Sequence, residues 1–123
     1  MIKGLGLDLV EIDRIRRILK RFGDRFGARV LTPAERAAHG ADTARYLASR
    51  FAAKEAAVKA LGTGFRDGIG FYDLETGADA LGKPSLTLTG AALARARDMG
   101  VAAVHLSITH GRDTACAVVV LEG

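Results

Sequence analysis

Hydrophobic and polar positions along the chain follow two periods, and the switches between them mark out the elements. From Ile2 to Leu9 the period is two: Leu5, Leu7 and Leu9 share one face, and Gly4, Gly6 and Asp8 the other, which predicts a strand. Two glycines leading to an acid leave a lane free of side chains, so another chain or a ligand can approach that backbone and meet a carboxylate at its end. Asp8 reads equally well as a turn residue or helix cap at the strand's end. From Ile12 to Arg21 the period becomes helical. Ile12, Ile15, Ile18, Leu19 and Phe22 line one face, and Arg14, Arg17 and Arg21 make a basic stripe on another. Gly23 and Gly27 interrupt the pattern. Thr32-Pro33-Ala34-Glu35 then supplies an N-cap, a proline at the first helical position and an acid three residues on, which predicts a short helix ending near His39-Gly40.

The stretch from Ser49 reads as one helix with no internal Gly or Pro, closed by Gly62 where a left-handed cap belongs. At about 100° per residue Leu47, Phe51, Val58 and Leu61 share a stripe suited to a core. Lys54 falls in the middle of that stripe, and Glu55 and Lys59, spaced i, i+4, lie along its edge. Two readings stand side by side. In one, Glu55 and Lys59 are an ordinary surface pair and Lys54 lays its stem along the core edge. In the other, a cleft carboxylate is flanked by two ammonium groups, an arrangement suited to holding a divalent cation together with a polyphosphate.

The glycine-rich segment Gly62 to Gly70 predicts a loop, and Phe71 to Thr76 a short strand. Gly82-Lys83-Pro84 is a turn, Ser85 to Thr89 a half-buried strand, and Ala91 to Met99 a helix stopped by Gly100. Val104 to Thr109 and Thr114 to Leu121 read as a hairpin across Gly111-Arg112-Asp113, with His105, Ser107 and Thr109 on one face. That face is either solvent-exposed or the wall of a site. Ser107 with His105 or His110 lacks a nucleophile elbow and a third member, which argues against a serine nucleophile. Gly4-Leu5-Gly6 is not a dinucleotide fingerprint, because position 9 is Leu.

With 123 residues, 49% of them hydrophobic, the chain suits one domain over residues 1–123. Its strands and helices are segregated along the sequence, which argues for the α+β class. The formal charge of +4 points to an acidic partner. At 6% aromatic residues without Trp, the stacking platforms of a single-strand nucleic-acid binder are missing, and no nucleic acid is expected. Cys116 has no partner for an internal disulfide, which suits a reducing compartment. Asp8 and Glu11 interrupt the apolar start too early for a signal peptide or span, so a cytoplasmic protein without a membrane partner is expected.

Three segments together resemble the holo-[acyl-carrier-protein] synthase family, the small single-domain 4′-phosphopantetheinyl transferases. They are Gly4-Leu5-Gly6-Leu7-Asp8-Leu9-Val10-Glu11-Ile12, Arg50-Phe51-Ala52-Ala53-Lys54-Glu55-Ala56 continuing to Lys59-Ala60-Leu61-Gly62-Thr63-Gly64, and His105-Leu106-Ser107-Ile108-Thr109-His110. Leu31-Thr32-Pro33 with Glu35, and Gly82-Lys83-Pro84, add weaker marks. The resemblance implies a small, mainly antiparallel sheet packed with helices. It implies transfer of phosphopantetheine from coenzyme A to a serine of apo acyl carrier protein, with release of adenosine 3′,5′-bisphosphate, in support of fatty acid biosynthesis. Mg²⁺ is the implied cofactor, bound by Asp8 and Glu55, with Lys59 as phosphate contact and possible proton acceptor. Arg50, Lys54, Lys59, Gly62, Thr63, Lys83, Pro84 and His105 are the implied coenzyme A contacts, and Arg14, Arg17 and Arg21 the carrier-docking stripe. It also implies a homotrimer with sites at subunit interfaces, so that His105 serves a neighbour.

The chemistry suits these residues independently, because Mg²⁺ is typically held by one or two carboxylates plus substrate phosphate oxygens. A basic nucleic-acid module built on Arg14, Arg17 and Arg21 is the competing reading. It gains nothing from carboxylates beside its cations, whereas a metal-dependent transferase needs Asp8 and Glu55.

Overall fold

A single helix, α4 (Thr43–Leu61), runs through the middle of the molecule, and every other element of the computed structural model is arranged about it; residues 1–39 and 42–123 are described. Ala48, Ala52, Ala53, Ala56, Ala57 and Ala60 are all buried, together with Leu47, Val58 and Leu61. A helix buried almost all round needs small side chains so that its neighbours can come close, and the alanines supply them. Asp42 caps its first turn by accepting from Arg45 N, so the helix begins at Thr43 and not at Ser49. Gly62 closes it in the left-handed conformation at φ 76°.

Strands β1 (Ile2–Glu11), β4 (Ala103–His110) and β5 (Thr114–Glu122) form one antiparallel sheet in the order β1-β5-β4. The predicted hairpin is β4–β5, with Ser107 opposite Val118 and Ile108 opposite Ala117. In β1 the glycine face looks inward onto α4. A Cβ at Gly6 would overlap the carbonyl oxygen of Ala56, and one at Gly4 that of Ala60. The lane is therefore filled by a helix backbone of the same chain. Its steps match: two strand residues rise about 6.7 Å and four helix residues about 6 Å, so each glycine meets the next turn of α4. The leucine face points the other way, leaving Leu5, Leu7 and Leu9 65%, 60% and 64% exposed.

The remaining elements cover the other flanks of α4. Helices α1 (Ile12–Phe22), α2 (Asp24–Val30) and α3 (Pro33–Ala38) follow β1. Gly23, at φ 60°, separates α1 from α2, but α2 runs through Gly27. Thr32 and Glu35 form the predicted reciprocal cap of α3, whose expected end at His39-Gly40 lies partly outside the described residues. Phe71 to Thr76 is not one strand: Phe71–Asp73 makes a 3₁₀ turn, held because Asp73 accepts from Gly70 N, and β2 (Leu74–Ala78) follows. β2 pairs antiparallel with β3 (Pro84–Leu88), and α5 (Gly90–Asp98) leads back to the main sheet.

Candidate active site

Asp8 is the residue after the glycine lane on the inward face of β1, and it meets the edge of α4. Lys59 Nζ donates to Asp8 Oδ1 and to the Leu7 carbonyl, both at 3.0 Å. Glu55 lies one turn before Lys59 on the same side of the helix. Burial pushes its carboxyl above the ordinary value, the neighbouring Asp8 charge pushes it further, and Lys59 and Arg14 oppose the shift. Two carboxylates close enough to repel, with an ammonium drawn onto one of them, describe a place where positive charge is wanted. Among the described residues no group of three or more His, Cys, Asp or Glu side chains gathers as a metal cage. An open site of two carboxylates is the donor set that a hard cation sharing a substrate's phosphates uses. Arg14, the first arginine of the α1 stripe, reaches the rim of this cluster. Arg17 and Arg21 continue the stripe, exposed, along α1.

Arg50 and Pro84 meet elsewhere. They line a cavity of about 400 Å³ with Asp42, Arg45, Tyr46, Ser49, Gly82, Ile108 and His110. Arg50 stacks its guanidinium 4.5 Å from the Tyr46 ring and donates to Ser49 Oγ. The Nε atoms of Arg45 and Arg50 are buried, Arg45 Nε lying 3.7 Å from Asp42 Oδ2, and both guanidinium groups border the same polar hollow. Pro84 also borders a second groove of about 390 Å³ that holds Lys83 and His105. There His105 Nε2 lies 3.0 Å from Glu122 Oε1, and His105 holds the Glu122 carboxyl below its ordinary value.

One expected phosphate contact is corrected. Lys54 is completely enclosed: its ammonium donates to Glu35 Oε1 at 2.6 Å, the Val30 carbonyl at 2.6 Å and the Phe71 carbonyl at 3.1 Å. All three of its donors are used inside the fold, leaving none for a ligand. Gly62 and Thr63 lie just past the C-terminal end of α4, a turn beyond Lys59. Arg45 joins the Arg50 cavity without belonging to any motif in the sequence. Its only signal is its place one turn before Ser49 and Arg50, and that spacing carries no meaning until Gly82 and Pro84 are folded against it.

The sequence from residue 4 to 119 matches the model of the 4′-phosphopantetheinyl transferase superfamily. A protein of Solidesulfovibrio magneticus named holo-[acyl-carrier-protein] synthase is 62% identical over the full length of both chains. This chain belongs to that family. A crystal structure of the Neisseria meningitidis holo-[acyl-carrier-protein] synthase superposes with a TM-score of 0.91 at 44% identity, covering all of both chains. The Helicobacter pylori enzyme, solved in complex with coenzyme A, superposes with a TM-score of 0.85 at 32% identity over 96% of this chain and 99% of that one. The chain is thus a phosphopantetheinyl transferase with the α+β fold of its relatives.

Proposed function

We propose that the chain transfers the 4′-phosphopantetheine group of coenzyme A to a serine hydroxyl of apo acyl carrier protein, releasing adenosine 3′,5′-bisphosphate, and so supplies carriers for fatty acid biosynthesis in the cytoplasm. The observation that carries this reading is the Asp8–Glu55–Lys59 cluster, in a chain aligned end to end with holo-[acyl-carrier-protein] synthases. Asp8 and Glu55 would hold Mg²⁺, which neutralises pyrophosphate oxygens when bound. In the transfer the serine Oγ–P bond forms as the bridging P–O bond breaks, and the electron pair leaves with the bisphosphate. Lys59, released from Asp8, contacts the phosphates and offers charge stabilisation there. The serine proton passes to a base in this cluster, Glu55, Lys59 or a water held there.

Coenzyme A has a separate phosphate and an adenine, and the guanidinium groups of Arg45 and Arg50 beside Pro84 suit them. Residues 50 and 55 lie about 140° apart around a helix, so this cavity and the carboxylate cluster occupy opposite flanks of α4. A neighbouring subunit that places its Arg50, Lys83, Pro84 and His105 opposite Asp8 would bring the two halves together. The apolar outer sheet face of Leu5, Leu7, Leu9, Val118 and Val120 is a suitable seam for the homotrimer this requires. The basic stripe Arg14, Arg17 and Arg21 then leads an acidic carrier toward the cluster, because Arg14 sits at its rim. The test is incubation with coenzyme A, Mg²⁺ and apo carrier protein, followed by the carrier's mass. A gain of one phosphopantetheine per carrier is expected, and an unchanged mass would sink the proposal.

A further inference from the structure

The lysine inside the apolar stripe of α4 has a task to which the Asp8 cluster makes no claim. Lys54 and Glu35 are both fully enclosed. Glu35 accepts from Thr32 N and Lys54 Nζ with one oxygen and from Thr76 N and Oγ1 with the other, which ties α3 and β2 to α4. The remaining Lys54 donors end α2 at Val30 and grip the 3₁₀ turn at Phe71. A buried pair of this kind contributes little net stability over apolar residues of similar volume, so specificity of arrangement is the better account of it. What it arranges is found one step further on. The Phe71 ring stacks on Phe51, 5.9 Å away, and lies tilted against Phe65, 4.2 Å away. Phe51 and Lys54 are three residues apart on α4, so one helix face holds Phe71 by both its carbonyl and its ring.

Phe65 belongs to the loop over residues 62–70. Gly62, Gly64, Asp67 and Gly68 all have positive φ there, and a segment of that kind has little conformational preference of its own. Gly62, Thr63 and Gly64 are held by their amides to the Lys59 and Val58 carbonyls, so it is the order of residues 65–70 that must come from side-chain anchors. We propose that Lys54 is a positioning residue: through Phe71 and Phe65 it fixes the path of residues 65–70, the part of the loop that continues from the coenzyme A contacts at Gly62 and Thr63. The proposal rests on the coenzyme A reading above for its consequence, but not for the anchor itself.

Two variants test it. Glu35→Gln with Lys54→Met removes both charges together, so no unpaired charge is left buried, and Phe65→Ala cuts the ring contact while leaving the pair intact. In each, amide exchange over residues 65–71 without ligand is expected to accelerate about tenfold or more, while β1 and β5 keep their protection. The KM for coenzyme A should rise more than kcat falls. Wild-type exchange in the loop of the folded variants overturns the anchor, and so does faster exchange spread evenly through the sheet, which marks a purely structural pair. A raised KM with an unchanged loop would make Lys54 a direct ligand and also overturn it. Should the double variant not fold, the Phe65→Ala measurement decides alone. Inactivity of the wild-type protein toward coenzyme A would refute the transferase reading while leaving the exchange result standing.

Discussion

Glu55 is the side chain whose environment differs most from what its sequence position suggests, since a surface i, i+4 pair with Lys59 would leave it an ordinary carboxylate. In the fold Lys59 turns to Asp8 and the Leu7 carbonyl instead, and burial with Asp8's repulsion raises Glu55's pKa. A carboxyl with a folded pKa above its unfolded one costs stability when ionised and stops doing so as pH falls. Glu55→Gln should therefore stabilise the metal-free protein at pH 7–8, by under about 1 kcal/mol given the solvent exposure, and lose that advantage as the pH falls toward the ordinary carboxylate range. Urea melts at two pH values would check the sign, with transfer abolished in the same variant. Asp8→Asn should show no such gain, because it gives up the Lys59 ion pair. Lys59→Met is expected to tighten Mg²⁺ binding roughly three- to tenfold by titration calorimetry, since an ammonium no longer competes for Asp8. Unchanged affinity would mean that the lysine does not occupy that place. The carboxylates were legible in the sequence as chemistry. Which lysine serves them was not, because Lys54 and Lys59 differ only in what the rest of the chain packs around them.

Among the elements, α1 was legible as a helix with its arginines outward and Ile12 and Ile15 inward, but Phe22, placed on the same apolar face, is 48% exposed. The structure adds that its N-terminal end abuts the carboxylates, so the stripe is not separate from the site. Reversing Arg14, Arg17 and Arg21 to Glu should raise the carrier KM at least about tenfold and flatten its salt dependence, taking roughly 0.5–1 kcal/mol for each exposed contact. Arg14→Glu alone should also lower kcat, because Arg14 restrains the pKa of Glu55, whereas Arg21→Glu should leave kcat unchanged; equal kcat values in the two would break the link between docking and chemistry. The 3₁₀ turn at Phe71 and the passage of α2 through Gly27 were not legible. Beyond the local Asp73 bond, Lys54 on α4 takes the Phe71 carbonyl and the Val30 carbonyl at the end of α2, and no local window contains that lysine.

For the molecule as a whole, the α+β class and the β4–β5 hairpin followed from the segregation of patterns along the chain. The orientation of β1 did not, because an alternating strand does not say which of its faces looks inward. Its leucines remain outside, and Val118→Lys in the middle of that face should yield a monomer by sedimentation with activity lost. Mixing and reassembling Asp8→Ala and Arg50→Ala chains should restore part of the activity that each lacks, if each site draws on two subunits; no recovery would return the whole site to one chain. The glycine lane bears on how such an enzyme can change over time. Since β1 and α4 touch backbone to backbone at Gly4 and Gly6, no side chain sets the gap between the strand that carries Asp8 and the helix that carries Glu55 and Lys59. Substitutions elsewhere in the interior can raise or lower stability without spreading those two mounts apart. On the proposed function, the dimension on which the chemistry depends is thus sheltered from the ordinary drift of core residues, and a change at the two glycines themselves acts on it most directly.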